Sequence, residues 1–177
     1  MAGDERIRLF CALELPKEGR AELAAWGDAH LRGGGRRVRP EDLHVTLAFL
    51  GSRPPGEVAG IAEELHAAAA AAAPADLRAR RYRETRSVGM IELDDPAGVA
   101  AALADDVQRR LERLGVYRRE QRAWLPHVTL LRFRERAGLR PEVPNICLHV
   151  VRSALYRSTL GAGGARYDQL ETAALGG

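Results

Sequence analysis

The sequence predicts an α+β protein built from two similar lobes, with a groove between their sheets. The main observation is a repeated order of features: each half of the chain reads as a strand, a helix, a proline-containing loop and a strand with the word His-Val-Thr-Leu. The two words begin at His44 and His127, too far apart for a solenoid repeat and suited to two lobes of one domain. We therefore expect a single bilobal domain over residues 1–177, with a pseudo-twofold axis relating its lobes.

The composition is that of a globular protein. Of 177 residues, 46% are hydrophobic and 29% are charged, which excludes a mainly disordered chain. No apolar run reaches membrane-spanning length and the charged opening, residues 1–6, has no signal-peptide core, so we expect a cytoplasmic protein without a membrane partner. The formal net charge is +3, and Lys17 is the only lysine beside many arginines. This basic excess permits a polyanionic partner without requiring one.

Apolar runs bounded by proline or glycine predict the elements of the first half. In chain order they are a strand over 8–15, a helix from Pro16 to about His30, a strand over 43–50 ended by Gly51, and a helix from about Pro55 to Ala72. Proline suits the first turn of a helix because the amide hydrogen it lacks would have no partner there.

The second half repeats this pattern and adds a tail. Its predicted elements are strands over 76–84 and 87–93, a helix between Asp95 and Gly115, a strand over 127–131, and tail strands over 146–156 and 166–172. The helix is the clearest element, because one apolar stripe runs along it: Val99, Leu103, Val107, Leu111 and Leu114.

The repeated word places matching side chains on one face of each strand. Alternate residues of a strand share a face, so His44 and Thr46 point one way, and His127 and Thr129 do the same in the second copy. Two such strands that face each other would gather two imidazoles and two hydroxyls around one point. The chain has only five histidines, so two of them in identical words favour a function over chance.

That set of groups suits a phosphodiester. Hydrolysis of a cyclic phosphate needs a base for the water proton and an acid for the departing sugar oxygen, and histidine can do either task. The threonine hydroxyls can donate to the non-bridging oxygens, where negative charge is concentrated. We therefore expect catalysis by His44, His127, Thr46 and Thr129, with no metal and no cofactor.

These residues resemble the 2H phosphoesterases, and within them the RNA 2′,3′-cyclic phosphodiesterases once called 2′-5′ RNA ligases. The resemblance covers nearly the whole chain and includes residues 8–10, 15–16, 43–51, 126–132, 155–158 and 166–167. It implies two antiparallel sheets facing a central groove, with helices on the outside. It also implies an enzyme that opens the 2′,3′-cyclic phosphate end of RNA or an oligonucleotide to a 2′-phosphomonoester, with His44 as proton donor and His127 as acceptor.

The resemblance also suggests substrate-binding residues. Arg132 aligns with an arginine that the family places near the phosphate, but strand alternation puts it on the face opposite His127 unless a bulge intervenes. A solvated surface arginine explains it equally well. Phe10, Tyr156 and Trp124 could stack on a base or simply pack in the core. Gly89 stands where relatives often carry an aromatic residue, which leaves base stacking and substrate length open.

Three other functions fit the sequence less well. The same site run in reverse would join RNA ends through a 2′-5′ linkage, but water favours hydrolysis. An RNA-end binding module without catalysis would not need two titrating groups. A metallohydrolase lacks support because the chain has no His-x-x-x-His, His-x-His or paired-cysteine motif. We expect the protein to act as a monomer.

Overall fold

The computed structural model describes residues 5–176, and within them it contains nine strands and three α-helices. They are β1 (Ile7–Glu14), α1 (Lys17–His30), β2 (Arg36–Arg37), β3 (His44–Arg53), α2 (Val58–Ala70), β4 (Ala75–Glu84), β5 (Val88–Asp94), α3 (Val99–Arg113), β6 (His127–Arg132), β7 (Cys147–Val150), β8 (Arg152–Gly161) and β9 (Gly164–Ala174). None of these helices is long and apolar enough to cross a bilayer. Residues 1–4, part of the opening that we judged to lack a signal-peptide core, lie outside the described residues.

The strands form two antiparallel sheets, which confirms the predicted α+β class. Sheet A has the order β3-β1-β8-β9 and sheet B the order β2-β6-β5-β4-β7. Sheet A therefore takes its strands from both ends of the chain, and sheet B is built mostly from the middle. The two lobes are present, but neither corresponds to one half of the sequence.

The helices cover the outer faces of the sheets, and two of them cross between lobes. Helix α1 follows β1 of sheet A but packs on sheet B, where Gly19 lies against Leu148 of β7. Helix α3 follows β5 of sheet B but packs on sheet A, where the Gln108 side chain donates a 2.8 Å hydrogen bond to the backbone oxygen of Leu47. Helix α2 packs on β8 and β9. The inner faces of both sheets are left to form the central groove.

The predicted strand over residues 146–156 is wrong. These residues form two strands in different sheets, because β7 pairs with β4 in sheet B and β8 pairs with β1 in sheet A. The chain crosses between the sheets at Val151, whose backbone oxygen accepts a hydrogen bond from Leu175. Residues 146–156 contain no glycine or proline to mark such a crossing.

The predicted end of the second strand at Gly51 is also wrong. Strand β3 continues to Arg53, and Gly51 lies inside it with φ of 68°, a conformation that glycine adopts without strain. Leu50 is left without a partner beside it, which makes a β-bulge. Glycine therefore bends this strand instead of ending it.

The third helix begins close to its predicted position. Gly98 precedes it, and the Asp95 carboxylate accepts a 2.8 Å hydrogen bond from the backbone nitrogen of Ala101. Leu103, Val107 and Leu111 of the predicted stripe are buried, whereas the helix ends before Leu114, which is exposed.

Candidate active site

Each His-Val-Thr-Leu segment carries a β-bulge at its leucine. In β3, Thr46 pairs with Ala12 and Ala48 with Cys11, so Leu47 has no partner across the ladder. In β6, Thr129 pairs with Met90 and Leu131 with Gly89, so Leu130 has none. The two lobes thus repeat the same local distortion at the same position of the motif.

The backbone oxygens of both bulged leucines are satisfied from outside the ladder. The Gln108 side chain donates to Leu47, and the backbone nitrogen of Val38 donates to Leu130 at 2.9 Å. Buried carbonyl groups without partners are costly, so these two donors stabilise the bulges. Sequence reasoning did not single out either donor, since their roles depend on contacts distant in the chain.

The bulge at Leu130 brings Arg132 to the groove. An extra residue shifts the alternation by one, so Arg132 lies on the same face as His127 and Thr129. The matching position in β3 is Phe49, whose side chain is 50% exposed, with the Arg8 guanidinium 5.4 Å from its ring centre. The bulge that the sequence required for Arg132 is present.

Identical hydrogen bonds orient the two imidazoles. Nδ1 of His44 lies 2.7 Å from the backbone oxygen of Asp42, and Nδ1 of His127 lies 2.8 Å from that of Leu125. Since a carbonyl oxygen only accepts, each Nδ1 carries a proton and each Nε2 is left for chemistry. Nε2 of His44 accepts a 3.1 Å hydrogen bond from the Thr46 hydroxyl.

The environment of His44 disfavours its charged form. Burial is the largest cause, and repulsion from Arg132 and His127 adds to it; together they lower the pKa of His44 to about 4. The hydrogen bond to the Asp42 carbonyl opposes this shift. His44 is therefore neutral at neutral pH. Strand β6, which carries both His127 and Arg132, lies in contact with β3.

Aromatic rings surround His44. The Phe10 ring lies 4.8 Å from the imidazole, Tyr156 stacks on Phe10 at 5.0 Å, and the Tyr167 ring meets the imidazole edge-on at 5.4 Å. Phe10 is only 3% exposed, so it packs beneath His44 and offers little surface to a ligand. Tyr156 and Tyr167 are half-buried and offer more. Sequence reasoning missed Tyr167 as a site residue, because only the register of β8 and β9 brings it here.

Trp124 links the two motifs. Its indole nitrogen donates a 2.9 Å hydrogen bond to the backbone oxygen of Thr46, which ties the loop before His127 to β3. This bond therefore adds to the direct contacts between the two histidine strands.

Gly89 faces away from the groove. A side chain at this position would meet the Tyr82 hydroxyl and Leu131, and Tyr82 in turn packs near Trp26 of α1 on the outer side of sheet B. The absence of an aromatic side chain at Gly89 therefore removes no surface from the groove.

A basic cleft opens beside His44 at the ends of β2, β6 and the β8–β9 hairpin. Its lining includes four arginines and one ring of the aromatic cluster: Arg36, Arg39, Arg132, Arg166 and Tyr167. Arg39 donates to the buried Asp42 carboxylate at 2.7 Å, which steadies the segment that orients His44. Within the described residues, no three histidine, cysteine or acidic side chains are arranged to hold a metal ion.

Comparison with known proteins gives the family. Residues 13–86 match the family model of the LigT-like phosphoesterases. The chain is 31% identical to the RNA 2′,3′-cyclic phosphodiesterase of Escherichia coli, with 97% of this chain and 98% of that protein covered. It is 30% identical to the protein of the same name from Thermus thermophilus, over 97% and 91% of the two chains. The chain belongs to the LigT-like phosphoesterase family.

Solved structures of the family share the fold of this phosphoesterase. A crystal structure of E. coli LigT with 3′-AMP superposes with a TM-score of 0.83 at 26% identity, covering 97% of this chain and 99% of the other. A T. thermophilus protein superposes with a TM-score of 0.82 at 30% identity and the same coverage. The two facing sheets are therefore those of the family.

The low pKa of His44 makes the stability of this LigT-like phosphoesterase depend on pH. The folded-state pKa of about 4 lies below the unfolded value of about 6.5, so the unfolded chain binds more protons between them. The neutral imidazole of His44 adds to the free energy of unfolding above pH 6.5. This contribution is lost as the pH falls through 4, and the loss is up to about 3 kcal/mol. We expect His44→Gln to remove this loss, measured by urea unfolding at pH 7.5, 5.5 and 4.

A matched substitution on the surface serves as the control. His149 is exposed on β7, where its imidazole is hydrogen-bonded to the Asp76 carboxylate. His149→Gln should therefore leave the loss of stability that depends on His44 in place. An unchanged pH dependence in His44→Gln would show that the imidazole of His44 titrates normally in the folded protein.

Proposed function

We propose that this phosphoesterase hydrolyses the 2′,3′-cyclic phosphate end of RNA to a 2′-phosphomonoester, with His44 and His127 as its acid-base pair. The observation that carries the proposal is the matched orientation of the two imidazoles, each holding its Nδ1 proton on a backbone oxygen and leaving Nε2 for the groove. The relatives from E. coli and T. thermophilus named RNA 2′,3′-cyclic phosphodiesterase support the choice of substrate.

The reaction needs two proton transfers. Nε2 of His127 accepts a proton from water as the water oxygen attacks phosphorus. The bond from phosphorus to O3′ breaks, and Nε2 of His44 donates a proton to O3′, which leaves the phosphate on O2′. Each transfer contributes typically about 10²–10⁴-fold to the rate. The hydroxyls of Thr46 and Thr129 and the guanidinium of Arg132 donate to the non-bridging oxygens.

The donor role requires His44 to gain a proton when substrate binds. Its pKa is about 4, but a phosphate anion within hydrogen-bond distance would offset the repulsion from Arg132 and His127 and raise that pKa. The Thr46 hydroxyl, which donates to Nε2 of the neutral ring, is then released to donate to a phosphate oxygen. Substrate binding and protonation of His44 are thus coupled.

The reverse reaction uses the same groups. An RNA 5′-hydroxyl in the position of water would attack the cyclic phosphate and form a 2′-5′ linkage. Water is present at far higher concentration than any RNA end, so ligation is the minor activity in this proposal.

The direct test is the position of the product phosphate. The protein is incubated with an oligoribonucleotide that ends in a 2′,3′-cyclic phosphate, and phosphorus NMR identifies the product. We expect a 2′-phosphomonoester. A 3′-phosphomonoester would mean that the O2′ bond is the one broken, and an untouched substrate would refute the proposed activity.

Removal of divalent metals should leave the activity unchanged. Both proton transfers and the charge stabilisation are assigned to side chains, so extensive dialysis against EDTA removes nothing that the mechanism uses. Turnover of the cyclic phosphate before and after dialysis measures the effect. Activity that is lost and returns only with added Mg²⁺, Mn²⁺ or Zn²⁺ would identify metal-assisted hydrolysis instead.

A further inference from the structure

The inner face of sheet B carries a buried carboxylate beneath two arginines. Glu92 of β5 lies opposite His127 in the register, and Arg81 of β4 lies opposite Glu92. Arg83 lies opposite Met90, the partner of Thr129. Both arginines therefore share the face of the His127 motif and lie two strands away from it, about 10 Å across the sheet.

Glu92 fixes the position of both guanidinium groups. Nε and Nη2 of Arg81 donate to the two oxygens of the carboxylate, and Nη1 of Arg83 donates to one of them at 3.0 Å. The hydrogen bond from Arg81 is the largest cause that lowers the pKa of Glu92, so the carboxylate is ionised. One negative charge beneath two positive ones leaves this cluster with a net charge of +1 on the inner face of sheet B.

This cluster differs from an ordinary surface ion pair. Glu92 is 1% exposed, whereas the side chains of Arg81 and Arg83 are 56% and 49% exposed. Burial of a carboxylate is costly unless it is fully hydrogen-bonded. Here the hydrogen bonds of Glu92 also hold two flexible arginine side chains on the inner face of sheet B. The remaining N–H groups of both arginines stay available to a ligand in the groove, and they are already oriented.

Sheet A repeats only part of this basic surface. Glu14 lies opposite His44, and Arg152 of β8 lies opposite Glu14 in the position of Arg81. Ala154 of β8 stands where Arg83 stands in β4, so sheet A has one arginine here instead of two. The next row of sheet A is aromatic, with Phe10 beside Tyr156. The groove therefore has an aromatic wall around His44 and a basic wall beyond His127.

We propose that Arg81 and Arg83 bind the first backbone phosphates upstream of the cyclic phosphate end, so that the site accepts an oligonucleotide better than a mononucleotide. This inference rests on the proposed function. The terminal base lies against the aromatic wall of sheet A, and the strand leaves over the basic wall of sheet B. A mononucleotide has no upstream phosphate and does not reach this wall.

The test compares substrates of different length. The substrates are a nucleoside 2′,3′-cyclic phosphate and a trinucleotide with the same cyclic end, and the readout is the ratio of their kcat/KM values. We expect a ratio of at least about 10 in the wild type, since a hydrogen bond to a charged group contributes about 1.5–3 kcal/mol. In R81Q/R83Q/E92Q the ratio should fall to near one. Glutamine at position 92 avoids a buried carboxylate without partners.

A charge-matched control separates this site from general attraction. The triple variant lowers the net charge by one, and R113Q does the same on the exposed end of α3. R113Q should keep the wild-type ratio. A plot of log kcat/KM for the trinucleotide against log salt concentration has a negative slope. In the triple variant this slope should be shallower by about 0.7 for each phosphate that the variant no longer neutralises.

The outcomes distinguish this inference from the proposed function. A wild-type ratio near one, a triple variant that keeps the ratio, or an R113Q variant that loses it equally would each overturn the inference. If the triple variant does not fold, R83Q alone still tests it, because Arg83 is half-exposed and Glu92 keeps Arg81; an unchanged ratio overturns the inference. If the wild type cleaves neither substrate, the proposed function fails and this inference fails with it.

Discussion

Replacement of either His44 or His127 with alanine is expected to lower the turnover of a cyclic phosphate by at least about 10²-fold, because each removes one proton transfer. The fold should survive, since both side chains are half-buried in the groove and lie outside the hydrophobic core. Steady-state kinetics measures the loss, and circular dichroism with thermal melting checks the fold. His149→Ala, an exposed histidine on β7, is the control and should retain full turnover.

A substrate whose leaving group needs no protonation separates the two roles. A nitrophenolate leaves as the anion, so it should largely restore turnover to the variant that lacks the acid and not to the one that lacks the base. We expect restoration in His44→Ala and none in His127→Ala. The opposite pattern would exchange the two roles, and restoration of neither would mean that the histidines mainly bind the phosphate.

Replacement of Arg132 with alanine is expected to have two linked effects. Loss of a charged donor to the phosphate should lower kcat/KM about 10–100-fold, from a contribution of about 1.5–3 kcal/mol. Loss of its positive charge should also raise the pKa of His44, because repulsion from Arg132 helps to lower that pKa. Kinetics measures the first effect, and NMR titration of the His44 ring proton measures the second.

Arg134→Ala gives the matched comparison. Arg134 is exposed two residues further along the chain, and its substitution should change neither quantity. If Arg132→Ala leaves the titration of His44 where it was, the guanidinium lies too far from the imidazole to share its phosphate.

The sequence predicted those features that depend on local pattern. The His-Val-Thr-Leu words placed two histidine strands correctly, and alternation within them showed that Arg132 needed a bulge to reach the groove. The helices followed from apolar spacing and from proline or glycine at their ends. Each of these features is determined by neighbours a few residues apart, so a single chain contains the whole signal.

The sequence did not predict the features that depend on distant contacts. The crossing at Val151 leaves no mark, because no glycine or proline separates β7 from β8. The groups around Thr46 and Leu47 also escaped notice: Trp124 and Gln108 donate to the backbone of these residues from separate elements. Their side chains resemble ordinary packing residues until the strands are placed.

The crossing of helices between lobes couples the two sheets that form the groove. Helix α1 follows β1 of sheet A and packs on sheet B. Helix α3 follows β5 of sheet B and packs on sheet A. The two lobes cannot separate unless the helix of one lobe leaves the sheet of the other. Partial opening would therefore expose the buried surfaces beneath both α1 and α3. Hydrogen exchange should then report one common free energy of opening for amides in the centres of both sheets. Because sheet A pairs strands from both ends of the chain, the slow closure of these long loops should limit the rate of folding.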